Sequence, residues 1–139
     1  MAIRKLGTID YQIVEITPFV FDGRLILLET ILEDYPQNHT GERYLRCRDV
    51  ESGRIYPAFG KRHSFASAYV ENNIVWVFAP NEDIKGAYCN PNGGKYLQVF
   101  RSEDLHDWIE LTRFELRNEG RAWNSSVCKA EGRYVMAYE

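Results

Sequence analysis

Three stretches of this sequence share one pattern: TPFVFDGRLILLE (17–29), ASAYVENNIVWVF (66–78) and SVCKAEGRYVMAY (126–138). Each stretch has a short apolar run, a polar pair of residues and a second apolar run. The pairs are Asp22-Gly23, Asn72-Asn73 and Glu131-Gly132. Asn and Gly tolerate the positive φ angles that tight hairpin turns require. The pattern therefore predicts three β-hairpins, which are spaced by 49 and 60 residues when Gly23, Asn72 and Gly132 are aligned.

A hairpin that recurs about every 40–50 residues is typical of a β-propeller, in which each repeat forms one sheet. Two further strands are predicted after the first hairpin, at 43–49 and 54–59, and two after the second, at 95–101 and 108–116. We therefore predict an all-β chain that forms a partial β-propeller within a single domain, 1–139. The blades are expected at about 15–60, 64–116 and, as an inner hairpin alone, 123–139. A β-sandwich with coincidental hairpins is the alternative.

The apolar residues of the three hairpins are the expected packing between blades. They are Phe19, Phe21, Leu25, Leu27, Tyr69, Ile74, Trp76, Phe78, Tyr134 and Met136. The stretch from Leu6 to Val14 also has β character, but no hairpin partner lies beside it. In a closed propeller such a strand completes the final blade, so here we expect it to pair with strand 132–139 of a neighbouring copy. Self-association is therefore expected, because an open propeller leaves an apolar edge uncovered.

Composition limits the possible partners. The formal net charge is −3 and no run of Lys or Arg is present, so a nucleic-acid partner is not expected. The apolar run Leu25–Leu32 is interrupted by Glu29 and Thr30 and is too short to span a bilayer, so no membrane partner is expected. The amino-terminus lacks the apolar core of a secretion signal. A cytoplasmic location is therefore expected, or a secreted or periplasmic one if a signal was removed.

Cysteine and histidine spacing predicts neither a metal site nor a cofactor. Cys47, Cys89 and Cys128 are widely separated and form no CxxC pair, so reduced thiols are expected, with Cys47 and Cys128 packed in strands as small apolar residues. The three histidines, His39, His63 and His106, also lack the spacing of a zinc site.

The string Phe100-Arg-Ser-Glu-Asp-Leu-His-Asp-Trp108 resembles the S-x-D-L-x-x-W turn of five-bladed propeller glycosidases, especially glycoside hydrolase family 43. Trp123-Asn-Ser-Ser-Val and the stretch 132–139 resemble the start of a later blade in those proteins. The similarity runs from about Val14 to Glu139, and the turn joins the third and fourth strands of a blade. The resemblance implies a five-bladed propeller and a carbohydrate ligand.

The resemblance also implies where a catalytic site would lie. In the family a general base stands about ten residues before an aromatic residue of the second strand. That position here is Glu15, where the family usually has Asp. The matching position of the third repeat is Asn124, which cannot ionise and so cannot tune a pKa as an Asp would. The blade that carries the general acid would lie beyond Glu139.

Other residues are expected to contact the sugar. His63 and Ser64 stand at the start of the second blade, and Trp123 offers a ring on which a sugar can stack. Glu29 and Glu139 end inner strands, where carboxylates can bind sugar hydroxyls. Three of the candidate residues also have a structural alternative: Glu15 as a solvated strand residue, Asn124 as a cap of the strand start, and His63 as a packed side chain.

Three functions follow from these features. The first is the amino-terminal part of a family-43-like glycosidase that is inactive as the isolated chain, because one Glu beside an Asn cannot supply both acid and base. The second is a non-catalytic module that binds carbohydrate or assembles with other proteins. The third is a structural β-domain without a ligand.

Overall fold

The computed structural model describes residues 3, 5, 8, 11–81, 96–115 and 122–138. These residues form nine strands in three antiparallel sheets, and no helix is found among them. Sheet 1 contains β1 (Val14–Phe21), β2 (Arg24–Ile31) and β3 (Tyr44–Asp49). Sheet 2 contains β4 (Ser67–Glu71), β5 (Ile74–Pro80), β6 (Tyr96–Ser102) and β7 (Ile109–Glu115). Sheet 3 is the hairpin of β8 (Ser126–Ala130) and β9 (Arg133–Ala137). The all-β prediction is confirmed.

The three predicted hairpins are present, and their turns have the same backbone. Both turn residues have a positive φ in each hairpin: Asp22 and Gly23, Asn72 and Asn73, Glu131 and Gly132. Two positive φ angles in succession define the turn whose twist matches the flanking strands. Asn73, not Asn72, is therefore the equivalent of Gly23 and Gly132. The predicted alignment of Asn72 with Gly23 is therefore wrong by one residue, and the spacings are 50 (23 to 73) and 59 (73 to 132).

The first strand of each sheet lies beside the first strand of the next. β1 contacts β4, and β4 contacts β8. Each sheet runs outward from these first strands in chain order, since the orders are β1-β2-β3, β4-β5-β6-β7 and β8-β9. The sheets therefore stack face to face, with sheet 2 between sheets 1 and 3.

Sheet 1 has three strands, so the prediction of two complete four-stranded sheets is correct only for sheet 2. The expected fourth strand at 54–59 touches β3 at two isolated bridges, Arg48 with Ile55 and Leu45 with Phe59. Pro57 lies between those bridges. Because proline has no N–H to donate, it interrupts a ladder of hydrogen bonds at this point.

The main hydrophobic core lies between sheets 1 and 2. We call the face of each sheet that points toward the next sheet its front face and the opposite face its back face. The front face of sheet 1 contributes Phe19, Phe21, Ile26 and Leu28, and the back face of sheet 2 contributes Val75, Val77, Ala79 and Phe100. Gly60 packs closely against this core, where a side chain would not fit, because a Cβ there would lie 3.0 Å from Leu45 Cδ1.

Two residues expected between the blades lie on the other face of β2. Leu25 is 41% exposed and Leu27 is half-buried, whereas Ile26 and Leu28 are buried. Successive side chains of a strand alternate between faces, and the apolar run 25–28 contains no polar residue to show which pair points inward. The prediction for Leu25 and Leu27 was therefore wrong by one residue.

The segment before β1 is not a strand in its described part. Residues 11–13 precede β1 without strand structure. Tyr11 Oη donates a hydrogen bond to Glu29, and Gln37 Nε2 donates one to the carbonyl of Gln12 at 2.6 Å. These residues therefore pack on their own sheet 1, whereas the expected pairing of Leu6–Val14 with a neighbour required them to be free.

Candidate functional site

The starts of the three first strands share an unusual backbone. Glu15 (φ 53°), Phe65 (φ 50°) and Asn124 (φ 48°) each stand seven residues before the first residue of their hairpin turn. The left-handed conformation costs a residue with a side chain roughly 1–2 kcal/mol, least for Asn. In β1 the register with β2 shifts between Val14 and Thr17, so a β-bulge includes Glu15. Bulges and left-handed residues are over-represented at functional sites, because they redirect a side chain.

Hydrogen bonds from equivalent residues hold these strand starts together. Thr17 Oγ1 donates to the carbonyl of Ala66 at 2.9 Å, and Ser67 Oγ shares a buried 2.8 Å hydrogen bond with Ser125 Oγ. Thr17 and Ser67 each follow a left-handed residue by two positions. In both cases the partner directly follows the left-handed residue of the next sheet. The starts of β1, β4 and β8 therefore lie side by side.

Two aromatic rings stack at this end of the sheets. The ring centroids of Phe65 and Trp123 are 5.6 Å apart, and their planes differ by 26°. Both side chains are half-buried, while Glu15 and Asn124 are exposed at the equivalent positions of the flanking sheets. We call Glu15, Phe65, Trp123 and Asn124 the strand-start surface. It combines an apolar ring pair with one carboxylate and one amide, which is a combination that suits a ligand with apolar faces and hydroxyl groups.

Phe65 was not among the residues predicted from the sequence, because Asn72 was aligned with Gly23 at the second turn. Glu15 and Asn124 lie eight residues before Gly23 and Gly132. The residue eight positions before Asn72 is Ser64, whereas the residue eight positions before Asn73 is Phe65. Ser64 is 1% exposed, so its hydroxyl is not at the surface. His63 packs edge-on against Phe100, with ring centroids 5.3 Å apart, and its Nδ1 lies 2.8 Å from the carbonyl oxygen of Lys61. These contacts fix His63 within the connection to β4.

Glu29 has protein partners in place of the expected sugar. It is fully buried, and its carboxylate accepts hydrogen bonds from Arg46 Nε at 2.7 Å and Arg48 Nε at 2.8 Å. Tyr11 Oη donates a third, and the Arg48 guanidinium lies 4.5 Å from the Tyr11 ring centroid. Glu139 is outside the described residues.

The ionisation of this cluster follows from its contacts. Burial alone would raise the pKa of Glu29, but the hydrogen bonds from Arg48, Tyr11 and Arg46 outweigh burial and hold the pKa below its ordinary value. Burial, and then the bond to Glu29, raise the pKa of Tyr11 to about 12. Glu29 is therefore a carboxylate and Tyr11 a neutral phenol at neutral pH, so the cluster stabilises sheet 1 and Glu29 is not the protonated carboxyl group that a general acid would need.

The S-x-D-L-x-x-W string forms the turn between β6 and β7, the third and fourth strands of sheet 2. Asp104 Oδ1 accepts hydrogen bonds from the backbone N–H groups of His106 at 2.8 Å and Asp107 at 2.9 Å. Leu105 is fully buried in the core, and Trp108 stacks on Phe59 with centroids 3.8 Å apart. Each member of the string is thus used in the turn or in packing.

A second concavity lies between sheets 2 and 3. It has a volume of about 430 Å³ and an almost entirely apolar lining, which includes Tyr69, Trp76, Phe78, Leu111, Phe114 and Met136. We call it the sheet 2–3 groove. It forms because the two strands of sheet 3 cover only part of the four-stranded sheet 2. Few polar groups face it, so it is a poor match for a hydroxylated ligand.

Comparison of the chain with models of known protein families and with curated proteins finds no match. Within the described ranges, no group of three or more His, Cys, Asp or Glu residues is arranged to hold a metal ion. The same ranges contain no helix with the length and apolar character needed to cross a membrane.

Proposed function

We propose that this chain binds carbohydrate at the strand-start surface and does not hydrolyse it. The observation that carries the proposal is the stacked pair of Phe65 and Trp123, flanked by exposed Glu15 and Asn124 at matching positions. Sugar C–H faces pack on aromatic rings, and carboxylates and amides bind hydroxyl groups. The resemblance to family-43 propellers supports the same ligand class, and on this proposal the three sheets are consecutive blades of such a propeller.

We propose binding without hydrolysis because of the residues at the three left-handed strand-start positions. Glycosidases of this type need two carboxyl groups, one to protonate the leaving oxygen and one to activate water. The three left-handed positions carry Glu, Phe and Asn, so they provide a single carboxylate. Glu29, the nearest alternative along β2, is ionised and bound to Arg46 and Arg48.

Calorimetric titration with xylo- and arabino-oligosaccharides tests the proposal. Trp123→Ala and Phe65→Ala are each expected to weaken binding about tenfold, because an aromatic contact contributes about 1.5 kcal/mol. Glu15→Gln keeps the side-chain volume and is expected to weaken binding less. Phe114→Ala is the matched control, since Phe114 is an aromatic residue, 50% exposed, on β7. Equal losses for Phe114→Ala and Trp123→Ala would contradict the proposed site.

Incubation with aryl-xylosides and aryl-arabinosides tests the absence of hydrolysis. No release of the aryl group above the buffer rate is expected. Turnover that is lost in Glu15→Ala would show that a second carboxyl group acts with Glu15, and the chain would then be a glycosidase.

A further inference from the structure

Glu15 is an exposed carboxylate in a backbone conformation that residues with a side chain rarely adopt. Its φ of 53° lies in the left-handed region, and the β-bulge of β1 includes it. Asn124, at the matching position of sheet 3, tolerates this conformation better than Glu does. Within the ranges that the structure describes, no side chain forms an ion pair or a hydrogen bond with the Glu15 carboxylate. This carboxylate is therefore available to a ligand.

The formal charge of the strand-start surface comes from Glu15 alone, since the other three residues are two rings and an amide. Two cations, Lys61 and Arg62, precede the start of β4 in the chain. Lys61 pairs with Glu42 at 3.9 Å, and the backbone N–H of Arg62 donates to the carbonyl of Arg43 at 2.9 Å, next to the start of β3. β2 separates β3 from β1, so the Arg62 backbone lies about two strand spacings, roughly 10 Å, from β1. The charge of the surface is therefore negative.

The rings and the carboxylate together favour one class of sugar. Phe65 and Trp123 can contact the C–H groups of a sugar ring, and the faces of aromatic rings also attract cations. An ammonium group binds a carboxylate by charge as well as by hydrogen bonding, whereas a hydroxyl group offers the hydrogen bond alone. The carboxylate of an acidic sugar would be repelled by Glu15. An amino sugar therefore matches both parts of the surface.

We propose that Glu15 makes the strand-start surface selective for amino sugars, which carry a free ammonium group, over neutral and acidic sugars. Phe65 and Trp123 contact the sugar ring, and the Glu15 carboxylate accepts a hydrogen bond from the ammonium group. The inference rests on the proposed carbohydrate binding and adds the class of sugar to it.

Calorimetric titration with three kinds of oligosaccharide tests the selectivity. Glucosamine and glucose oligomers of the same linkage differ in the amino or hydroxyl group at one carbon of each ring, and galacturonic acid oligomers represent the acidic class. Slightly below neutral pH and at low salt, glucosamine oligomers are expected to bind about fivefold more tightly than glucose oligomers, as for a favourable exposed ion pair. Galacturonic acid oligomers are expected to bind most weakly. Equal affinities for the amino and neutral oligomers would overturn the proposal.

Glu15→Gln tests whether this carboxylate causes the preference, because the substitution removes the charge and keeps the side-chain volume. The variant is expected to bind glucosamine and glucose oligomers equally, with an affinity for glucose oligomers close to that of the wild type. Glu51→Gln is the matched control, since Glu51 is exposed in the turn after β3, at the opposite end of sheet 1. It changes the net charge equally and is expected to keep the preference. A preference that survives Glu15→Gln, or one that Glu51→Gln abolishes, would contradict the role of Glu15.

Added salt gives an independent check, because salt screens charges at an exposed surface. Between about 0.01 M and about 1 M salt the preference for glucosamine oligomers is expected to disappear, while the affinity for glucose oligomers changes little. A preference that salt leaves unchanged would show that shape selects the amino sugar and that the charge of Glu15 does not.

The glucose oligomers separate failure of this inference from failure of the proposed function. If they bind, and Trp123→Ala weakens their binding, but glucosamine oligomers bind no more tightly, carbohydrate binding is retained and the role of Glu15 is refuted. If neither kind of oligomer binds, the proposed function and this inference are both refuted.

Discussion

The interface between sheets 1 and 2 is filled, whereas the interface between sheets 2 and 3 is open over its outer half. At the first, Phe59 stacks on Trp108 and Leu105 is fully buried, so the packing extends to the outer strands. At the second, the packing gives way to the sheet 2–3 groove beside β6 and β7. Both interfaces keep the same inner hydrogen bonds, through Thr17 and Ser67. The difference shows that hydrogen bonds between strand starts recur at both interfaces, while packing of the outer strands adds to the core at the first.

The same substitution at the two interfaces measures this difference. Phe100→Ala, in the filled interface, is expected to lower the free energy of unfolding by about 3–5 kcal/mol, because it leaves a cavity in a closed core. Phe78→Ala, in the groove, is expected to cost about half as much, since Phe78 is already half-exposed. Urea unfolding of both variants gives the comparison. Equal losses would show that the groove is filled in solution.

Sheet 1 differs from the other two sheets in the buried carboxylate of Glu29. The position of Glu29 is taken by Ala79 in sheet 2 and Tyr138 in sheet 3. Glu29→Gln is expected to cost about 3 kcal/mol, because Arg46 remains buried without its counter-charge. The pKa of Glu29 is lower in the folded protein than in the unfolded chain. The contribution of Glu29 to the free energy of unfolding is therefore fully present above the unfolded pKa of about 4.3 and is lost as pH falls through the folded pKa.

Unfolding measured between pH 7 and pH 3 checks both parts of that prediction. The wild type is expected to lose more stability than Glu29→Gln over this range. Parallel losses in the two proteins would mean that other carboxylates control the acid response. Glu33→Gln is the exposed comparison, because the Glu33 carboxylate also pairs with Arg43 at 2.8 Å but is 41% exposed, so its loss is expected to change the acid response less than the loss of Glu29.

The inner hydrogen bonds are expected to contribute least and to contribute equally. Thr17→Val and Ser67→Ala should each lower the free energy of unfolding by about 1 kcal/mol. A double-mutant cycle between Ser67 and Ser125 isolates the second bond. If Ser67→Ala costs several times more than Thr17→Val, the two interfaces are not joined in the same way. The three repeats would then be less alike in structure than their turns indicate.

Much of the fold was predictable from local signals. The three hairpins were found because their turns carry Asp, Asn or Gly at positions that require a positive φ. Which face of β2 points inward was not predictable, since Leu25, Ile26, Leu27 and Leu28 are all apolar. The failure of the fourth strand of sheet 1 had a visible cause in Pro57, whose missing N–H breaks the ladder.

The candidate site was predictable only in part. Glu15, Trp123 and Asn124 were selected from spacing and resemblance, and they lie on neighbouring strand starts. Phe65 was missed because Asn72, the first residue of its turn pair, was aligned with Gly23 and Gly132, the second residues of theirs, whereas the backbone makes Asn73 the equivalent residue. Glu29 was misjudged because pairing across strands, which brings Arg46 and Arg48 to it, depends on a register that sequence alone leaves open.

The indole N–H signals of the three tryptophans give the most direct test of where a sugar binds. Trp123 lies in the strand-start surface, Trp76 lines the sheet 2–3 groove and Trp108 is stacked on Phe59. In a nitrogen–proton correlation spectrum titrated with xylo- or arabino-oligosaccharide, the Trp123 signal is expected to shift, together with the amides of Phe65 and Asn124. The Trp76 and Trp108 signals are expected to stay in place. A shift of Trp76 with Trp123 unchanged would place the ligand in the groove and contradict the account.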